Sequence, residues 1–140
     1  MKRIFLFSTV FMVFTLLSIT SSGQITLKII IRDLSNNTGV VQLDFRDGND
    51  NAIIDARKEI TNNTCVFWIK NLKPGKYSFK YFHDENENYE LDTYWIGAPK
   101  EGYGFSNNAS GTFGPPSFEK TVFELENSTV MVCYPKYIDL

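Results

Sequence analysis

Between His83 and Asp92 the chain reads His-Asp-Glu-Asn-Glu-Asn-Tyr-Glu-Leu-Asp, with oxygen-bearing side chains at alternate positions. With Asp84 as position 1, Asn86, Asn88, Glu90 and Asp92 stand at positions 3, 5, 7 and 9. Calcium loops of the EF-hand kind take ligands from these positions, position 7 through its backbone carbonyl. A curled backbone brings alternate residues to one centre, where a hard cation collects six or more oxygens. No cofactor is assigned on this basis; calcium is the one the spacing allows, and its binding would be weak. Position 6 is Tyr89, where such loops use glycine for a left-handed backbone. Position 12 is Trp95, so the bidentate glutamate is missing. Two carboxylates with two amides belong to the roughly millimolar extracellular class. A solvated, asparagine-rich turn is the alternative. A second acidic stretch, Asp47 to Asn51, reads as a plain loop.

The same stretch opens on the only histidine of the chain. A small periplasmic hydrolase would use His83 with the acidic loop, and a carboxylate pair for glycoside hydrolysis would be drawn from Glu85, Glu87, Glu90 and Asp92. Neighbours in a strand point to opposite faces, which separates His83 from Asp84. No G-x-S-x-G elbow supplies a serine nucleophile. No catalytic residue is assigned, and the hydrolase is kept as an alternative. Cys65 and Cys133 both fall in strand-like runs. A disulfide between them needs Cα atoms within about 7 Å; two separately buried thiols are the other arrangement.

Residues 97–108 read Gly-Ala-Pro-Lys-Glu-Gly-Tyr-Gly-Phe-Ser-Asn-Asn, and residues 111–119 read Gly-Thr-Phe-Gly-Pro-Pro-Ser-Phe-Glu. Glycines permit sharp turns, and the aromatics between them anchor those turns. Trp95, Tyr103 and Phe105 are the expected contact surface for a ligand, with Asn107 and Asn108 offering donors and acceptors. A structural plug closing one end of the fold is the alternative.

These residues need a scaffold, and period two supplies it. Leu27, Ile29 and Ile31 alternate with Lys28, Ile30 and Arg32; Val41, Leu43 and Phe45 with Gln42 and Asp44; Cys65, Phe67 and Ile69 with Val66 and Trp68; Tyr77, Phe79 and Tyr81 with Ser78 and Lys80. Thr121–Glu126 and Thr129–Tyr134 add two short strands. Alternating β-branched and aromatic runs between Asn, Gly and Pro turns are the strand signature. Asp55–Glu59 is read as one helical turn at most. The expected fold is all-β: an Ig-like or prealbumin-like two-sheet sandwich of about seven strands. Leu72 to Tyr77 has the L-x-P-G-x-Y pattern that resembles a turn of prealbumin-like and collagen-adhesin sandwiches, with Gly75 expected at positive φ. The 35 residues from Asp84 to Phe118 lack alternation and carry too many aromatics to be left in water, so they form a packed loop excursion.

Length and charge set the remaining bounds. The 140 residues, with 43% hydrophobic content and a formal charge of −2, suit one domain and lack the basic excess of a nucleic-acid binder. Met1-Lys2-Arg3 precedes an apolar run from Ile4 to Ile19, and Ser21 and Gly23 are small residues suited to cleavage before Gln24. This is the pattern of a secretory signal peptide over residues 1–23. Residues 24–140 would then be a single exported sandwich domain with no membrane span and a charge of −4, since Lys2 and Arg3 are removed.

From His83 to Phe118 the run H-D-E-N-x-N-x-x-L-D-T, then G-x-P-x-E-G-Y-G-F-S-N-N-A, then F-G-P-P-x-F closely resembles a bacterial secreted family known as domain of unknown function 2141. The resemblance implies export and a sandwich fold, and it implies no established activity. The expected function is a non-enzymatic binding or structural accessory module of the bacterial envelope, in the periplasm or outside the cell. Its partner would be an envelope glycan, peptide or protein.

Overall fold

The computed structural model describes residues 23–140, so the expected signal segment lies outside the described residues except for Gly23. Eight strands form two sheets. In the three-stranded sheet, β1 (Ile25–Ile31) lies between β4 (Cys65–Leu72), antiparallel, and β8 (Thr129–Cys133), parallel. The five-stranded sheet runs β3 (Ala52–Glu59), β2 (Val40–Asp47), β5 (Gly75–Asp84), β6 (Tyr103–Phe105). There β7 (Phe123–Leu125) joins β5 over Gly75–Tyr77, while β6 joins it over Lys80–Phe82. A 3-10 turn at Ser106–Asn108 and one helical turn, α1 (Phe118–Thr121), link these last pieces.

Alternation explains the layering. Leu27, Ile29 and Ile31 of β1, Phe67 and Ile69 of β4, Val41, Leu43 and Phe45 of β2, and Tyr77, Phe79 and Tyr81 of β5 all point between the sheets and are buried. Phe45 stacks on Tyr77 at 5.4 Å between ring centroids, and Phe79 meets Phe123 edge-on at 5.9 Å. Such aromatic pairs contribute about 0.5–1.5 kcal/mol beyond their burial. Phe79 sits in the gap between the β6 and β7 pairings, where its N–H would be unpaired. Ser106 fills the gap: its hydroxyl accepts from Phe79 N–H (3.1 Å) and donates to the Thr121 carbonyl (2.6 Å).

Three local expectations are corrected. Residues 55–59 belong to β3, an edge strand, and not to a helical turn. Both faces of β3 are largely exposed, and its tail Arg57-Lys58-Glu59 carries the charges typical of a protected edge. Gly75 begins β5 without positive φ; Asn71, at φ 60°, takes the left-handed position instead. The tyrosine of the same turn does pin it, since the Tyr77 hydroxyl donates to the Lys73 carbonyl at 2.8 Å. The cysteines are both free and buried. Cys65 and Cys133 each stand opposite Ile31, on the two strands flanking β1. Two interstrand spacings, about 10 Å, therefore separate them, and no bridge can form. Burial pushes each thiol up to about 12.

One core group is unsatisfied. Among the described residues the Tyr81 hydroxyl is buried with no hydrogen-bond partner. Burial, then the nearby Cys133 and Tyr137, push its ionisation above the ordinary phenol range. Tyr81→Phe removes an orphaned donor and is expected to stabilise the protein by about 1 kcal/mol, read as a raised thermal midpoint. A lowered midpoint would show that the hydroxyl has a partner in solution.

Candidate functional site

The acidic loop leaves the end of β5 and curls on itself. Asp84 is fully buried. Its carboxylate accepts from the backbone N–H of Asn88 (3.1 Å) and Tyr89 (3.0 Å) and from the Gln42 side-chain amide (2.9 Å). Asn86 and Asn88 donate to the two Asp92 carboxylate oxygens at 2.7 and 3.1 Å. Four of the five candidate ligand residues, Asp84, Asn86, Asn88 and Asp92, thus join one hydrogen-bonded network. Glu90 contributes its backbone N–H to the Asn88 side chain at 2.9 Å, and its own side chain is exposed. Tyr89 takes the left-handed conformation, φ 70°, that glycine would take in a calcium loop. Arg57 on β3 compensates: its guanidinium lies 3.8 Å from the Tyr89 ring centre and 3.2 Å from Glu87, itself at φ 56°.

A carboxylate from outside the loop closes the curl. Glu101 is buried and accepts from the N–H of Glu85 (2.9 Å) and of Asp92 (3.0 Å), tying the loop's two ends together. Burial pushes its pKa up; the two amide bonds pull the other way, and the Asp92 and Asp84 carboxylates add to the rise, leaving it above the ordinary value. From the sequence alone Glu101 is assigned no role. Its backbone-bonding role has no local signature, because it depends on two segments meeting.

His83 is sealed in the interior. Nε2 lies 2.7 Å from the Thr38 carbonyl, which can only accept, so Nε2 carries a proton. Nδ1 lies 3.1 Å from the Tyr137 hydroxyl, which already accepts from Ser35 N–H at 2.9 Å and is free to donate to the ring. Glu85 stands 3.7 Å from Nδ1. Both ring nitrogens are engaged and the imidazole is fully buried, so the geometry gives His83 a place in holding Thr38 and Tyr137.

The ligand-contact candidates separate into two groups. Tyr103 and Phe105 point to the outer face of the five-stranded sheet, while Gly104 between them packs on the Tyr81 ring. Their rings meet edge-on at 6.3 Å and 84°. With Phe82 they floor a groove of about 430 Å³, walled by Tyr89 and Leu91 of the acidic loop, with Gln42, Asp44, Asp55 and Lys80 along its other side. Asp44 is held by Arg46 (2.7 Å) and Lys80 (3.3 Å). Burial pushes its pKa up, but those two cations outweigh burial and leave it below the usual carboxylate value. A second cleft of about 540 Å³ shares Leu91, Tyr103 and Phe105 and opens between the loops carrying Ile96 and Phe113. Trp95, 96% exposed, stands on a loop tip outside both.

Asn107 and Asn108 are committed to the fold. Asn107 donates to the carbonyls of Lys120, Thr121 and Val122 at 3.2, 3.3 and 3.0 Å. Asn108 donates to the Val132 carbonyl (3.0 Å) and accepts from Tyr134 N–H (2.9 Å), covering part of the outer edge of β8. Phe82 and Leu91 are groove residues that the sequence did not single out, and Tyr89 stood out only as the residue in the glycine position of the loop. For Phe82 the signal was its parity, opposite to the core residues Tyr77, Phe79 and Tyr81 on the same strand.

Among the described residues, no group of three or more His, Cys, Asp or Glu side chains is placed to hold a metal ion, so a calcium site would draw on the asparagine oxygens and backbone carbonyls as well. In the comparison with known proteins, a family model described as "Uncharacterized protein conserved in bacteria (DUF2141)" matches residues 21–132. No curated protein and no solved structure matches the chain.

Proposed function

We propose, for a chain that belongs to the DUF2141 family of uncharacterized bacterial proteins, a non-enzymatic binding module exported to the cell envelope that takes an apolar peptide segment of an envelope partner. The observation that carries this reading is the sheet-face groove: Phe82, Tyr103 and Phe105 from two adjacent strands form an apolar floor, and Tyr89 and Leu91 stand over it. Its volume, about 430 Å³, lies within the range of small-ligand and side-chain pockets. The edge-on Tyr103 and Phe105 rings offer no shared flat platform for a sugar, and Asn107 and Asn108 have their polar groups occupied, which favours a peptide over a glycan. The acidic loop is the rigid wall of this groove. Its left-handed Tyr89 and converging Asp84, Asn86, Asn88 and Asp92 support a weak calcium site there, one that would fix the wall from behind.

The test is a nitrogen-edited NMR titration of the protein with a panel of apolar hexapeptides and a panel of oligosaccharides. Apolar peptides are expected to move the amide signals of Phe82, Leu91 and Tyr103, and Leu91→Asp is expected to weaken binding about tenfold or more by placing a charge on the wall. Shifts with oligosaccharides alone would replace the peptide reading with the glycan reading. A spectrum unmoved by either panel would overturn the groove as a binding site.

A further inference from the structure

A different part of the excursion carries a second inference, independent of the groove. Residues 93–99 and 109–118 contain no Asp, Glu, Lys, Arg or His, in a chain that is 21% charged. Both segments fold as closed turns at the same end of the molecule, where Ile96 and Phe113 flank one cleft. In the first turn the Tyr94 N–H donates to the Ala98 carbonyl and the Gly97 N–H to the Tyr94 carbonyl, each at 2.8 Å, and Thr93 bridges Pro99. In the second, the position of a Cβ on Gly111 is already occupied by the Gly114 and Pro115 carbonyls, so Phe113 rides the apex of a tight loop. The exposed large apolar side chains on these tips are Trp95 (96%), Ile96 (52%) and Phe113 (100%).

Three features say what covers them. The tips protrude as separate points, a shape that fits a soft apolar medium better than a rigid complementary surface. Internal hydrogen bonds already satisfy part of the first tip's backbone, which an apolar medium demands. Cations stand directly beside the tips. Asp92 and Glu101 are bonded to amides of the acidic loop, Glu90 and Asp139 flank the far side of the cleft next to Leu91 and Ile138, and Lys100 and Lys136 are the charges placed against the tip segments themselves. Lys100 lies 5.5 Å over the Tyr94 ring, directly behind the Trp95 tip, and Lys136 lines the groove beside Gly114 and Pro116. Aromatic tips backed by lysines match the interfacial layer of an anionic bilayer, where amphipathic rings sit at headgroup level and cations meet phosphate.

We infer that the Trp95–Ile96 and Phe113 tips dock on the surface of an anionic phospholipid bilayer, the rings entering the interface and Lys100 and Lys136 meeting the headgroups. The test uses the protein as the cell processes it, in a Trp68→Phe background that leaves Trp95 as the sole tryptophan. Vesicles of phosphatidylcholine with phosphatidylglycerol are expected to shift Trp95 emission to the blue, and brominated lipid to quench it. Added salt is expected to weaken the effect. Loss of both rings in Trp95→Ser/Phe113→Ser is expected to weaken vesicle sedimentation about tenfold or more, with an unchanged thermal midpoint because both side chains are exposed. Trp95 emission unmoved by vesicles, or equal sedimentation of the double variant, would overturn the inference. A blue shift that follows protein concentration without lipid would also overturn it, identifying a second copy of the chain as the occupant. Phe82→Ser separates this from the groove, since Phe82 lines the sheet-face groove and not the cleft between the tips: it is expected to lose peptide binding and keep the Trp95 response.

Discussion

Asp84→Ala is expected to cost the fold about 3–5 kcal/mol, a large part of the roughly 5–15 kcal/mol that holds a domain of this size together. The reason is not the loss of one bond. The carboxylate is fully buried and receives three donors, the N–H of Asn88, the N–H of Tyr89 and the Gln42 amide. Alanine leaves all three without their acceptor at the point where the loop must hold Tyr89 and Glu87 at positive φ. Asp84→Asn keeps the shape and one good acceptor oxygen, so its cost should fall between wild type and alanine. Urea unfolding of the three proteins measures this order. A loss below about 1 kcal/mol for alanine would mean that water replaces the carboxylate and that the loop is not organised from this residue. The calcium reading is checked in the same series. Asp92 accepts only from the exposed Asn86 and Asn88 amides, so Asp92→Ala should lower the midpoint far less than Asp84→Ala. If calcium binds the folded loop, millimolar calcium raises the wild-type midpoint, chelator reverses it, and Asp92→Ala loses the increment. No calcium shift in the wild type would leave the loop as a hydrogen-bonded wall alone.

Why these residues matter was only partly written in the sequence. Strands buried on one face announce themselves by alternation, and β1, β2, β4 and β5 did so. Strand β3 did not, because the inner face of this edge strand carries only half-buried Ile54 and Ala56, too short an apolar period to show. Strand β6 is three residues long with glycine at its centre, and it is a strand because Gly104 lets it lie against Tyr81. The same limit applies to the site. Tyr103 and Phe105 could be picked from their setting among glycines, but their partners Phe82 and Leu91 come from segments brought together by the sheet order. The curl of the acidic loop was legible from its spacing. The residue that packs over the Tyr89 ring, Arg57, lies on the strand whose identity was misread. Cysteine pairing failed for a related reason: only the order β4-β1-β8 shows that a strand separates Cys65 from Cys133.

The turn between β1 and β2 carries a consequence as large as that of Asp84. Gly39 has φ 71°, and a Cβ there would fall on the Asp84 carbonyl oxygen and within 2.7 Å of the Glu85 Cα. Neither atom belongs to a flexible side chain, so neither can step aside cheaply. Gly39→Ala is therefore expected to destabilise by about 3–5 kcal/mol, more than the roughly 1 kcal/mol that the left-handed conformation alone would cost alanine. The damage should also be directional. Thr38 holds His83 through its carbonyl at 2.7 Å, and Val40 pairs with Asp84 in the β2–β5 ladder, so pushing Gly39 outward detaches the loop's root from both sides. Hydrogen exchange distinguishes this from a general weakening. The amides of Asn88, Tyr89 and Asp92, which depend on Asp84 and Glu101, should lose protection before those of Ile29 and Phe45 in the sandwich core. Uniform loss across loop and core would show that the turn and the acidic loop unfold with the sandwich as one unit, and that Gly39 serves the whole fold rather than the wall of the groove.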